Sequence, residues 1–259
     1  MAVAKQQKKK DKWVNRVLLL VAVILLGLGW YVSRLWKERN ASFVHYAAFG
    51  IDIPGGYNIH GIDVSKHQDI ISWPTVGKMQ VENIKIGFAF IKATEGLGNV
   101  DKQFRRNWKA VGKAGIPRGA YHFFLATKSG KAQALNFINT VQLQPGDLPP
   151  VLDIEQLYGA KPEAMRKEVK AWMQAVEAAY GVKPIIYSYV DFYEKYLGDD
   201  FKAYPLWIAH YLQQEKPRIG RDWIFWQFSE QGNVDGITSK VDFNVFNGDS
   251  TAFNALLIK

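Results

Sequence analysis

Four carboxylates of this 259-residue chain stand in or at the ends of short apolar runs: Asp63 in IHGIDVS, Asp153 and Glu155 in PPVLDIE, and Asp242 in KVDFNVF. In a strand, residues two apart face the same side. Asp153 and Glu155 therefore project together, and if Ile154 faces a packing layer both acids face open space. Acids that converge in a groove take different protonation states. Burial and mutual repulsion raise the pKa of one, while hydrogen bonds keep another ionised. Hydrolysis of a glycosidic bond uses that division: one acid protonates the leaving oxygen, and a second group stabilises or attacks the sugar cation.

Aromatic residues share these run ends: Tyr121, Phe123, Tyr187, Tyr189, Trp207, Tyr211 and Trp226. Aromatic faces stack on the apolar faces of sugar rings, and ordinary core packing is the competing use. His122 and His210 are out of step with the aromatics by one residue and are expected to point into the packing layer. The chain has no paired-histidine metal motif, and no metal site is expected. Ser65, Ser188 and His122 could be drawn as a hydrolytic triad, but no G-x-S-x-G elbow supports one. GIDVSKHQ, after the first run, is neither a dinucleotide fingerprint nor a phosphate loop. There is no cysteine, which removes thiol nucleophiles, disulfides and cysteine metal clusters. Nothing calls for a cofactor.

These residues need elements to hold them. Eight candidate strands recur, at 59–65, 86–94, 119–124, 149–155, 183–189, 206–211, 223–228 and 240–246. Several are apolar without alternation, as strands buried on both faces are. Helical periodicity fills the earlier gaps. Phe104, Trp108 and Val111 form one stripe, and Ala134, Phe137, Ile138 and Val141 another. A third begins at Pro162, runs through Met165, Val169, Trp172, Met173, Val176 and Tyr180, and stops at Gly181. VDFYEKYLG makes a short helix, whereas QQEKPRIGRD and SEQGNVDGITSK read as loops. Alternating strands and helices give an α/β fold with a parallel sheet, and eight strands favour closure into a barrel.

The net charge of +9 is unevenly placed: residues 1–40 carry +7 and residues 41–259 only +2. A nucleic-acid partner for the main domain is therefore excluded. Basic residues 1–16 precede the uncharged run VLLLVAVILLGLGWYV, with Trp13, Trp30 and Trp36 near its ends. A buried core helix would need a polar face, and a cleaved signal peptide would need small residues where Arg34, Leu35 and Trp36 stand. The reading is a basic cytoplasmic segment at 1–16, one transmembrane signal anchor at 17–36, a linker at 37–56 and a folded domain at 57–259. The membrane is then a partner through the N-terminal helix, and the domain is extracytoplasmic, on the periplasmic or cell-wall side.

HGIDVSKHQ (60–68), FIKATEG (90–96), AGIPRGAYHFF (114–124), PVLDIE (150–155), IIYSY (185–189), LWIAHY (206–211), WQF (226–228) and VDFN (241–244) together resemble the family-25 glycoside hydrolase lysozymes, the N-acetylmuramidases. The motifs stand in the family's order from Tyr57 to Asp249. The resemblance implies a modified TIM-like barrel of eight strands and about five helices. It implies cleavage of the β-1,4 bond between N-acetylmuramic acid and N-acetylglucosamine in peptidoglycan. Glu155 then resembles the general acid, Asp153 its partner, and Asp63 and Asp242 the remaining catalytic acids. Tyr121, Tyr187, Trp207, Tyr211, Glu95 and Asn244 become the substrate-binding candidates. A wall-binding protein without turnover and a hydrolase of another acetamido-sugar polymer, such as chitin, are the alternatives.

Overall fold

The computed structural model describes residues 18–33, 43–213 and 215–259. Residues 18–33 form a helix (α1) with every side chain exposed. No helix among the described residues is long and apolar enough to cross a membrane. The anchor expected at 17–36 extends past α1 at both ends, onto residues outside the described ones, as does the basic segment 1–16.

The linker expected at 37–56 is corrected over its second half. Strands β1 (Phe43–Tyr46) and β2 (Ile51–Pro54) pair antiparallel. Their hairpin packs on the barrel, with Phe49, Ile51 and Ile53 buried in the outer core. Phe43 meets Trp226 and Phe228 edge-on. The sequence shows this only as a short apolar alternation around AAFG, where Gly50 turns the chain at φ 65°.

The barrel begins with β3 (His60–Val64). A 3-10 turn at Lys66–Gln68, the short helix α2 (Trp73–Val76) and the short strand β4 (Gln80–Val81) lead to β5 (Ile84–Glu95). After β6 (Asn99–Val100) come α3 (Phe104–Lys113), β7 (Arg118–Phe123), α4 (Gly130–Thr140), β8 (Val151–Asp153), α5 (Pro162–Tyr180) and β9 (Ile185–Tyr189). Irregular helical turns from α6 (Val190–Phe192) through Tyr193–Leu197 and Gly198–Phe201 precede β10 (Leu206–Ala209), β11 (Phe225–Gly232) and β12 (Val241–Phe246). Loops, not helices, separate β10, β11 and β12, as their sequences indicate. A last helix, α7 (Ser250–Leu256), was not expected; Asp249 caps it by accepting from the Ala252 N–H at 2.8 Å.

Eight strands close in the order β3-β12-β11-β10-β9-β8-β7-β5, and β5 returns to β3. One correction concerns direction. β12 runs antiparallel to both β11 and β3, whereas the other neighbours in the ring are parallel. The reason is the connection: the 233–240 loop is too short for a crossover, which needs about a dozen residues.

Two apolar layers hold the ring. The outer one lies between the strands and the helices and includes Ile62, Ile91, Leu152, Trp172 and Ile208. The inner one fills the lower barrel with Phe88, Phe90, Val151, Ile185, Phe225, Phe246 and, from α7, Phe253. Gly61 and Gly119 make that filling fit: a Cβ on either would run into the ring of Phe88 or Phe90.

Candidate active site

Above the aromatic filling, the inward side chains become polar. Asp63 comes from β3 and Asp153 is the last residue of β8, with Glu155 two residues beyond. Asp242 lies near the start of β12, yet reaches the same mouth because that strand is reversed; its register partner is Asp63. The four acids line one groove of about 350 Å³, together with Lys92, Tyr121, Phe123, Tyr187, Tyr211, Gln227 and Glu230. A second hollow of about 460 Å³ shares Glu155, Tyr187, Tyr211 and Glu230 and continues toward Tyr189 and Asp191.

Asp63 is the anchor of this cluster. Its Oδ2 accepts 2.7 Å hydrogen bonds from Gln227 Nε2 and Asn244 Nδ2. Both amides are oriented by donors. The Trp207 indole N–H, which can only donate, reaches Asn244 Oδ1 at 2.8 Å. The Tyr187 and Tyr211 hydroxyls donate to Gln227 Oε1. Asp63 is left facing Asp242. Burial and the Asp242 charge raise the Asp63 pKa well above the usual carboxylate range, against the opposing pull of the two amide bonds. Burial also pushes Asp242 up, to about 6. Contact with Asp242 pushes Asp63 up while contact with Asp63 pulls Asp242 back down, so the two acids titrate as a pair.

Asp153 is 7 % exposed, and its Oδ1 has no hydrogen-bond partner in the protein. Burial first, then the neighbouring charge of Glu155, raises its pKa well above normal. Glu155 is more open to the groove. Burial raises its pKa too, against the nearby Tyr187 hydroxyl and the charge of Lys92. A carboxyl whose pKa is raised and that faces a groove is suited to act as a general acid.

Lys92 and Glu95 are three apart, and strict alternation would send them to opposite faces. The β5–β7 register shifts between Lys92 and Thr94, so β5 gains one extra residue there. Both side chains then reach the mouth and pair at 2.7 Å, with Lys92 Nζ 4.5 Å from the centre of the Phe123 ring. The same shift sends Thr94 outward, where its hydroxyl meets His122 Nδ1 at 2.7 Å.

Of the predicted substrate contacts, Tyr121, Tyr187 and Tyr211 line the groove. Trp207 and Asn244 lie deeper than these tyrosines. Trp207 is 2 % exposed, with its ring stacked on Phe90 at 4.5 Å, and Asn244 is wholly buried. They form the floor that holds Asp63, and Trp207 still lines the groove whereas Asn244 does not. Glu95 stands beside the groove, paired to Lys92. Trp226 faces the outer layer, as its place next to Phe225 requires.

His122 lies in the packing layer as expected, stacked on Trp172 and bonded to Gln133, and burial lowers its pKa to about 3. His210 is half-exposed and accepts from the Arg218 N–H, so it only partly follows that expectation. Ser65 caps the following turn and Ser188 donates to the Ile154 carbonyl, so neither serves a triad. Among the described residues, no group of three His, Cys, Asp or Glu side chains could hold a metal ion. Sequence reasoning missed Gln227, Lys92 and Glu230. Period-two counting from inward Phe225 would have found Gln227, whereas the bulges around the other two hide them.

A closed eight-stranded barrel with this acid cluster at its mouth defines a glycoside hydrolase. The profile of glycosyl hydrolases family 25 matches residues 62–237, and the chain belongs to that family. It is 48% identical over 201 residues to the YegX protein of Escherichia coli strain K12, covering 78% of this chain and 74% of that one. It is 34% identical over 217 residues to Lysozyme M1 of Streptomyces globisporus, covering 76% and 71%. The solved family 25 glycosyl hydrolase of Bacillus anthracis superposes with a TM-score of 0.72 at 33% identity, covering 84% of this chain and 98% of that one.

Proposed function

We propose that the protein is a peptidoglycan muramidase that hydrolyses the β-1,4 bond between N-acetylmuramic acid and N-acetylglucosamine. The observation that carries this is the pairing of Asp153 and Glu155: two acids of raised pKa, one deep in the groove and one at its open edge. Glu155 gives its proton to the glycosidic oxygen as the bond to the anomeric carbon breaks. The oxygen of the substrate's own 2-acetamido group attacks that carbon from the other side. Asp153 orients and charge-stabilises the acetamido group. Water then opens the cyclic intermediate and returns a proton to Glu155. Asp63 and Asp242 set the charge of the mouth by titrating as a pair beside the reacting centre.

The test compares wild type with Glu155→Gln on purified peptidoglycan, with new ends reduced by borohydride and identified by mass spectrometry. Reduced muramic-acid ends that vanish in the variant are expected. Reduced glucosamine ends would move the cleaved bond, and hydrolysis of chitin alone would replace the substrate. Binding without new ends would leave a wall-binding protein.

We also propose that the enzyme is held at a membrane. The apolar side chains of α1 are exposed along its length, and the sequence before it is basic. An uncleaved anchor would hold the barrel outside the cytoplasmic membrane, over nearby wall. Alkaline carbonate washing of membranes should leave the full chain in the pellet, and release into the supernatant would refute the anchor.

A further inference from the structure

A larger hollow than the catalytic groove, about 580 Å³, lies on the flank of the barrel between α3 and the end of α4. No carboxylate lines it; its charged residues are Arg105, Lys109, Lys113 and Arg118. Among the described residues, the first three have no ion pair. They stand at i, i+4 and i+8 on one face of α3, a rise of about 6 Å per step. The far wall carries Asn139 and Gln142, whose amides have no side-chain hydrogen bond in the protein.

The floor is rigid. The Arg118 guanidinium lies 4.1 Å from the centre of the Trp108 ring and donates to the Trp108 carbonyl. Asp147 holds the same guanidinium through Nε at 2.8 Å, and Gln144 accepts from it. A Cβ on Gly112 would come within 2.6 Å of Arg118 Nη1. A glycine inside a helix is less favourable than alanine, and this one lets Arg118 cross the helix to the indole. The result is a half-buried aromatic floor, unpaired cations along one side and free amides along the other.

We propose that this flank groove is a second binding site, for an extended peptide that carries several carboxylates along its length. The row of cations on α3 runs about 12 Å from Arg105 to Lys113, long enough to meet several carboxylates of one extended chain. The amides suit a peptide backbone, and a concave site suits a chain better than a flat lipid surface. The peptide that substitutes muramic acid in peptidoglycan has this chemistry; that source rests on the muramidase reading.

The test titrates the full chain, in detergent, with the synthetic peptide L-alanyl-γ-D-glutamyl-diaminopimelyl-D-alanine, followed by calorimetry. Wild type should bind, and added salt should weaken the complex. Lys109→Gln combined with Lys113→Gln should weaken it by about tenfold or more with an unchanged melting temperature. Equal binding by wild type and this double variant would overturn the proposal. So would no binding by wild type, or binding only to phosphatidylglycerol vesicles through these lysines. Hydrolysis of peptide-free glycan strands by wild type reads the muramidase assignment separately, since its failure leaves the peptide titration intact.

Discussion

The lower barrel and its mouth are lined by the same strands and use them in opposite ways. Below, Phe88, Phe90, Phe225, Phe246 and Phe253 interlock with no polar atom among their side chains. Above, Asp63, Asp153, Glu155 and Asp242 crowd into one groove, and each has a raised pKa. Trp207 is the boundary between them: one face stacks on Phe90 while its N–H holds Asn244, and through Asn244, Asp63. The comparison teaches that the barrel does not minimise its energy everywhere. Close packing at one end offsets the cost of keeping acids half-desolvated at the other.

Four substitutions break or sharpen that contrast. Glu155→Gln should lower the rate of bond cleavage by about a thousandfold, equivalent to about 4 kcal/mol in the transition state, with little change in melting. An equally stable variant with near-normal turnover would remove Glu155 as the acid. Phe90→Ala attacks the other end and should destabilise the fold by roughly 3–4 kcal/mol, since a buried ring leaves a cavity. Denaturant titration measures it, and a loss under ~1 kcal/mol would mean the lower barrel is not the stabilising end.

Asn244→Ala cuts the link between the ends. It leaves the Trp207 indole and Asp63 each short of a partner, at about 1–3 kcal/mol. Removing a hydrogen bond to the carboxylate should also raise the Asp63–Asp242 pair further, seen as an upward shift in its titration by carbon-13 carboxyl resonances. An unshifted pair would deny Asn244 its positioning role. Asp153→Asn should have the smallest effect on the fold and the opposite sign. It should gain about 1 kcal/mol at pH 8, or roughly 2–4 °C in melting temperature for a domain of this size, while turnover falls.

The sign follows from linkage. The four acids have folded pKa values raised above their unfolded ones. Their contribution is fully present below the unfolded values and is lost as pH rises through the folded ones, at about 6 for Asp242. The Asp153→Asn gain should therefore shrink toward nothing near pH 4. His60 and His122 act at the other edge: burial lowers them to about 4 and about 3, so stability is lost as pH falls from their unfolded values toward these. Melting scans across pH should show a maximum in mild acid.

Much of this was legible in the chain. The eight strands announced themselves as short apolar runs, α5 by its stripe between Pro162 and Gly181, and the four acids of the mouth by their places in or at the ends of such runs. Other features were hidden for stated reasons. The hairpin of β1 and β2 is too short for its alternation to stand out, and turn residues around it imitate a linker. Trp207 and Tyr187 look alike in a sequence, since both are aromatics near a strand end. Both line the groove, and only the structure separates their partners: Trp207 stacks on Phe90 and holds Asn244, whereas Tyr187 holds Gln227.

What the amino-acid sequence determined by itself is therefore local and periodic: which segments are strands, which helices begin and stop where, and which residue types can exchange protons. Those depend on neighbours within a few positions. The tertiary structure alone decided the direction of β12, which carries Asp242 to the mouth and its partner Asp63. It also decided the extra residue in β5 that turns Lys92 and Glu95 to one side. It decided the desolvation that raises four carboxyls together. Each of these arises when segments far apart in the chain close one ring, because burial, register and charge repulsion exist only once the strands have met.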